Sequence, residues 1–114
     1  MVSSGEPWGL PVFCIGEFLR VVTSPRYVDP PVRPHDAIAN IDALVESPGC
    51  QVLTPGVRYW SLLKASIDEG RVTGNRVFDA QIVAVCLEHG VDTILTEDRD
   101  FRRFDSITVR TLDA

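Results

Sequence analysis

The segment "RVFDAQIVAVCLEH", Arg76 to His89, constrains the chain more than any other. Its spacing predicts a helix, and Val77, Phe78, Ile82, Val83, Ala84, Val85, Cys86 and Leu87 spread apolar groups over nearly every side of it. Such a helix has to be enclosed by other elements. Gly90 stops it, and "DTILT" (Asp92 to Thr96) reads as a short strand directly after. A buried helix feeding a strand belongs to an α/β layer architecture.

The other segments agree. "VFCIGEFLRVV" (Val12 to Val22) places Val12, Ile15, Phe18, Leu19 and Val22 on one helix face, with Glu17 inside the helix. The proline-rich stretch "SPRYVDPPVRP" (Ser24 to Pro34) is a connector, after which "HDAIANIDALVES" (His35 to Ser47) is amphipathic through Ile38, Ile41, Leu44 and Val45. "CQVLT" (Cys50 to Thr54) is a strand, and Val57 to Gly70 is a helix with Trp60, Leu63 and Ile67 on one face. "RVTGN" is a turn whose Asn75 is placed to cap the next helix, "EDRDFRRF" (Glu97 to Phe104) is a turn or short helix, and Ile107 to Leu112 is a last strand. The alternation predicts a mainly parallel sheet with helices packed on it, in which ligands bind at the carboxyl ends of the strands.

One domain accounts for 114 residues. An apolar content of 45% suits a folded core, while no apolar run reaches the roughly 20 residues of a membrane span. The opening "MVSSGEPWGL" lacks a signal core, so the expected address is the cytoplasm. Cys14, Cys50 and Cys86 have neither disulfide nor zinc spacing and read as buried thiols. A net charge of −5 excludes a protein that coats nucleic acid by charge attraction, although not an enzyme that reaches nucleic acid through bound cations. No Gly-rich phosphate loop, G-x-S-x-G or H-E-x-x-H occurs. His35 and His89, at opposite ends of helices, read as structural.

Carboxylates carry the remaining signal. Asp79 falls in the first turn of the buried helix and Asp98 just past a strand end, two places that can face each other. With Glu17, three carboxylates would share one site and need a proton or a cation to offset their repulsion. Oxygen-only donors suit Mg²⁺ or Mn²⁺, and the chemistry that follows is phosphodiester hydrolysis. The same residues also read as a helix start, a turn and a solvated charge.

Three segments in order, "VFCIGEFLRVVTSPR", "GNRVFDAQIVAVCLEHG" and "ILTEDRDFRRF", resemble the PIN-domain ribonucleases of the VapC toxin type, a likeness that runs from about Trp8 to the C-terminus. The resemblance implies a three-layer α/β fold with a mainly parallel central sheet. It also implies a Mg²⁺- or Mn²⁺-dependent endoribonuclease, the toxin of a toxin–antitoxin pair, with RNA as substrate, a cognate antitoxin as partner and a homodimer as its assembly. Glu17 matches the family's acidic residue in an "E-hydrophobe-hydrophobe-R" helix, Asp79 the "D-A" helix start, and Asp98 the aspartate two residues after a strand-end threonine, here Thr96. Asp100 and Asn75 match positions that line the same site.

Members of that family begin with a strand ending in "D-[TS]-[NS]", followed by one or two helices, and this sequence starts after them. Residues 1–114 are accordingly expected to form a single PIN-like domain, incomplete at the N-terminus, without the first metal-binding carboxylate. Asp29 and Asp36 follow the Glu17 helix and do not replace it. Three accounts stand open: a longer native chain, a strand supplied by another chain, or an inactive fold that serves as a dimerisation or antitoxin-binding module.

Overall fold

The computed structural model describes residues 7–111. The chain divides into two compact units, Val2–Val52 and Leu53–Ala114, and each is taken by itself.

The N-terminal unit opens with strand β1 (Trp8–Pro11), paired with β2 (Cys50–Leu53). The first residues of the opening "MVSSGEPWGL" lie outside those described. Trp8 is already in the strand, and its N–H donates to the Gly49 carbonyl at 2.9 Å. Helix α1 (Val12–Val22) follows directly; Arg20 in its last turn suits the helix dipole, and the Thr23 hydroxyl closes it by donating to the Leu19 carbonyl at 2.6 Å. Helix α2 (Pro34–Val45) starts with proline at a position where no N–H is needed and carries Asp36 in its first turn. The predicted face of α2 is rotated. Ala37 is buried and Ile41 and Val45 half-buried, whereas Ile38 and Leu44 are exposed. The inward stripe therefore runs i, i+4, i+8 from the small Ala37, which the search for large apolar residues passes over.

In the C-terminal unit, helix α3 (Tyr59–Gly70) packs on α4 (Val77–Glu88). Leu63, Ser66 and Gly70 form the buried line of α3, so Trp60 is not on the predicted inner face: it is 62% exposed and lies under the Lys64 ammonium, 5.4 Å from the ring centroid. The burial of Gly70 has a cause. A Cβ there would sit 2.9 Å from Cδ1 and Cζ of Phe104, so only glycine lets this ring approach the helix.

Helix α4 is enclosed as its composition requires, with Ile82, Val83, Ala84, Val85 and Cys86 all buried. Gly90, at φ 74°, provides the left-handed turn that ends it, and the Val91 N–H returns to the Cys86 carbonyl at 2.8 Å. Of the three thiols only Cys86 is fully buried; Cys14 and Cys50 are half-buried, and none of the three is in a disulfide. Strand β3 (Thr93–Leu95) then pairs in parallel with β4 (Thr108–Arg110), Ile94 opposite Val109. The predicted end of the last strand, Leu112, lies outside the described residues. No helix among those described is long and apolar enough to cross a membrane.

The C-terminal end of α4 is tied down by its own residues. The Glu88 carboxylate accepts the N–H groups of Gly56 and Arg58 at 2.8 and 2.9 Å, and the Arg58 guanidinium donates to the Glu88 carbonyl at 2.8 Å. His89 Nε2 meets the Thr54 carbonyl at 2.8 Å, a structural role as expected. The Gly56 N–H, ahead of the one from Arg58, holds the Glu88 carboxyl below its ordinary range. A lowered carboxylate pKa contributes stability that is present above the unfolded value and lost as pH falls through the folded one. Glu88→Gln is therefore expected to flatten the acid side of a melting-temperature profile taken between about pH 3 and 6. An unchanged acid limb would show that this clamp carries no linkage.

Candidate active site

Asp79 and Asp98 reach one place by different routes. Asp79 stands in the first turn of α4, where the dipole favours a negative charge, and is 8% exposed. Asp98 follows β3 and caps the 3-10 helix Arg99–Arg103. Its backbone N–H donates to Thr96 Oγ1 at 3.1 Å, and its Oδ1 accepts the Asp100 N–H at 2.9 Å, so one oxygen is fixed and Oδ2 is left to face inward.

Both inward oxygens meet the same cation. Arg76 Nη1 donates to Asp79 Oδ2 at 3.1 Å and to Asp98 Oδ2 at 3.2 Å, while its Nη2 pairs with Asp100 Oδ2. Burial pushes the Asp79 carboxyl above the ordinary carboxylate range; the Arg76 guanidinium opposes that rise, and the charges of Asp98 and Asp100 add to it.

The remaining predicted residues are placed as follows. Asn75 does not cap α4: it lies inside the 3-10 turn Gly74–Arg76, and the residue at the cap is Arg76, with no side-chain cap bond. Gly74, at φ 58°, winds the chain tightly there, so the helix begins from a turn rather than from an extended cap residue. Glu17 belongs to α1 in the N-terminal unit, where Arg20 grips both its oxygens at 2.9 Å and keeps its carboxyl below the ordinary range. Arg76 is the residue sequence reading missed. Its i, i+3 spacing to Asp79 was the available signal.

A family model described as the PIN domain matches residues 2–107. The chain belongs to the PIN-domain family. This PIN chain is 36% identical over 104 residues to a VapC ribonuclease of Mycobacterium bovis and to ribonuclease VapC43 of Mycobacterium tuberculosis, spanning 91% of its own length and 70% of theirs. Ribonuclease VapC25 of M. tuberculosis is 31% identical over 107 residues, with 94% and 75% covered. The PIN fold also matches the crystal structure of VapBC2 from Rickettsia felis bound to a DNA fragment from their promoter, at a TM-score of 0.60 and 13% identity over 92% of this chain and 74% of that one. The likeness to that structure concerns the fold.

The donor chemistry fits a hard divalent cation. As the side chains stand, no group of three or more His, Cys, Asp or Glu among the described residues is arranged to hold a metal ion. The carboxylates are gathered around a guanidinium instead. Two oxygens from separate elements lie within hydrogen-bond reach of its Nη1, and oxygen is the donor that Mg²⁺ and Mn²⁺ prefer.

Proposed function

We propose that this PIN domain is a Mg²⁺- or Mn²⁺-dependent endoribonuclease, the toxin of a toxin–antitoxin pair, which hydrolyses RNA phosphodiester bonds in the cytoplasm and is held in check by a cognate antitoxin. A homodimer is the proposed assembly. The observation that carries the reading is the convergence of Asp79 Oδ2 and Asp98 Oδ2 on one cationic nitrogen; the likeness to VapC ribonucleases supports it.

In this reading Asp79 and Asp98 hold the metal, and Glu17 joins them on the strength of its sequence motif. A bound divalent ion would supply charge neutralisation at the phosphoryl group and a lower pKa for the attacking water. The chain's own residues contribute position. Thr96 fixes the backbone of Asp98, the Asp100 N–H fixes one oxygen of Asp98, and the helix dipole of α4 supports the charge on Asp79. Asn75, one residue before Arg76, is assigned to the same site on the strength of its sequence motif.

The test is cleavage of a structured RNA by the purified chain with Mn²⁺ present and with EDTA added, beside Asp98→Asn. Cleavage that needs the metal and disappears in the variant is expected. Cleavage that persists in EDTA, or in Asp98→Asn at the wild-type rate, would overturn the assignment.

A further inference from the structure

Arg76 sits where a positive charge is least welcome. It is the residue just ahead of α4, at the positive end of the helix dipole, yet its guanidinium reaches three carboxylates. Those carboxylates come from positions 79, 98 and 100, and when all are ionised the single guanidinium leaves two negative charges uncompensated. That residual charge suits a divalent cation.

The guanidinium and a metal ion compete for these oxygens, because a metal bridging the two would occupy the place that Arg76 Nη1 now holds. Arg76 Nη1 lies within hydrogen-bond distance of the same Asp79 and Asp98 oxygens that a metal would need. A planar monocation spreads its charge over a fork of donors, whereas Mg²⁺ or Mn²⁺ concentrates twice that charge on a small ion. Displacement is feasible because the side chains of Arg76, Asp98 and Asp100 are 44%, 43% and 43% exposed, so the freed guanidinium is hydrated as it leaves. Asp79, at 11%, stays behind as the sheltered anchor.

We infer that Arg76 is a resident cation of the carboxylate cluster, which divalent metal must displace, so that its ion pairs set the metal concentration at which the site loads. The inference rests on the metal-dependent reading above. Apparent affinity falls by the fraction of time the site is open, so an arm closed about 90% of the time weakens metal binding about tenfold.

The experiment is a Mn²⁺ titration of the purified chain, followed by electron paramagnetic resonance, for wild type, Arg76→Met and Arg76→Lys. Met keeps the length without the charge and is expected to tighten Mn²⁺ binding about three- to tenfold. Lys keeps the charge but loses the fork and should fall between the two. Mn²⁺ bound with equal or weaker affinity in a folded Arg76→Met would overturn the inference while leaving the metal reading intact. No Mn²⁺ bound by any of the three would sink both.

Should Arg76→Met fail to fold, the wild type decides. The ¹⁵N signal of the Arg76 side chain is expected to shift in step with Mg²⁺ saturation. A signal that stays in place while Mg²⁺ binds would show that the guanidinium never yields its oxygens.

Discussion

Asp79→Asn is expected to lower metal-dependent RNA cleavage by about 10²- to 10³-fold or more, because charge stabilisation by a bound metal amounts to several kcal/mol and each 1.36 kcal/mol is tenfold in rate. The side chain keeps its shape, so the fold should persist. Stability separates a functional loss from a structural one. Burial, ahead of the opposing guanidinium, raises the Asp79 carboxyl, so ionised Asp79 is held at a cost. A raised carboxylate contributes stability that is fully present below its unfolded value and is lost as pH rises through the folded one. The asparagine variant lacks that loss, and its melting temperature at neutral pH should equal or exceed that of the wild type. An active variant would remove Asp79 from the chemistry; an inactive one that melts well below the wild type would point to a fold effect.

The largest stability effect is expected at Phe104. It is 1% exposed, tilted at 45° against Phe101 with ring centroids 6.2 Å apart, and set against Gly70, where no side chain fills the gap. Phe104→Ala removes a ring that nothing nearby can replace, at a cost of about 3–5 kcal/mol. That is a large share of the roughly 5–15 kcal/mol that holds a typical domain together. Thermal unfolding followed by circular dichroism should show a fall of at least about 10 °C. A fall of only a degree or two would mean that α3 closes over the gap.

What sequence reading delivered follows the range of the forces involved. The enclosure of α4 was legible because a helix with Ile82, Val83, Val85 and Leu87 on different sides has no stable exposed orientation. Its stop at Gly90 was legible because one residue decides it. Strand β1 was not: its sequence, WGLP, contains the two residues that most weaken a strand signal, and pairing with β2 is a contact across some 40 residues. The outward turn of Trp60 was equally hidden, since the inner line of α3 is set by the small residues Ser66 and Gly70.

The same division runs through the site. Asp79 and Asp98 stand out as candidates from their places at a helix start and a strand end, and the hydrogen bonds that aim Asp98 are local. What no pattern in one segment expresses is that Arg76 meets Asp98 across 22 residues. The positions of arginines on a surface are weakly determined by periodicity.

The turn after β3 has a consequence for assembly. Its two defining bonds, from Asp98 to Thr96 and from Asp100 to Asp98, each span only two residues, so the loop that such a bond closes is short and ordering it forfeits little chain entropy. Asp79 likewise takes its direction from the first turn of its own helix. Each carboxylate thus takes its direction from bonds within its own segment, and packing of the two segments sets only the distance between them.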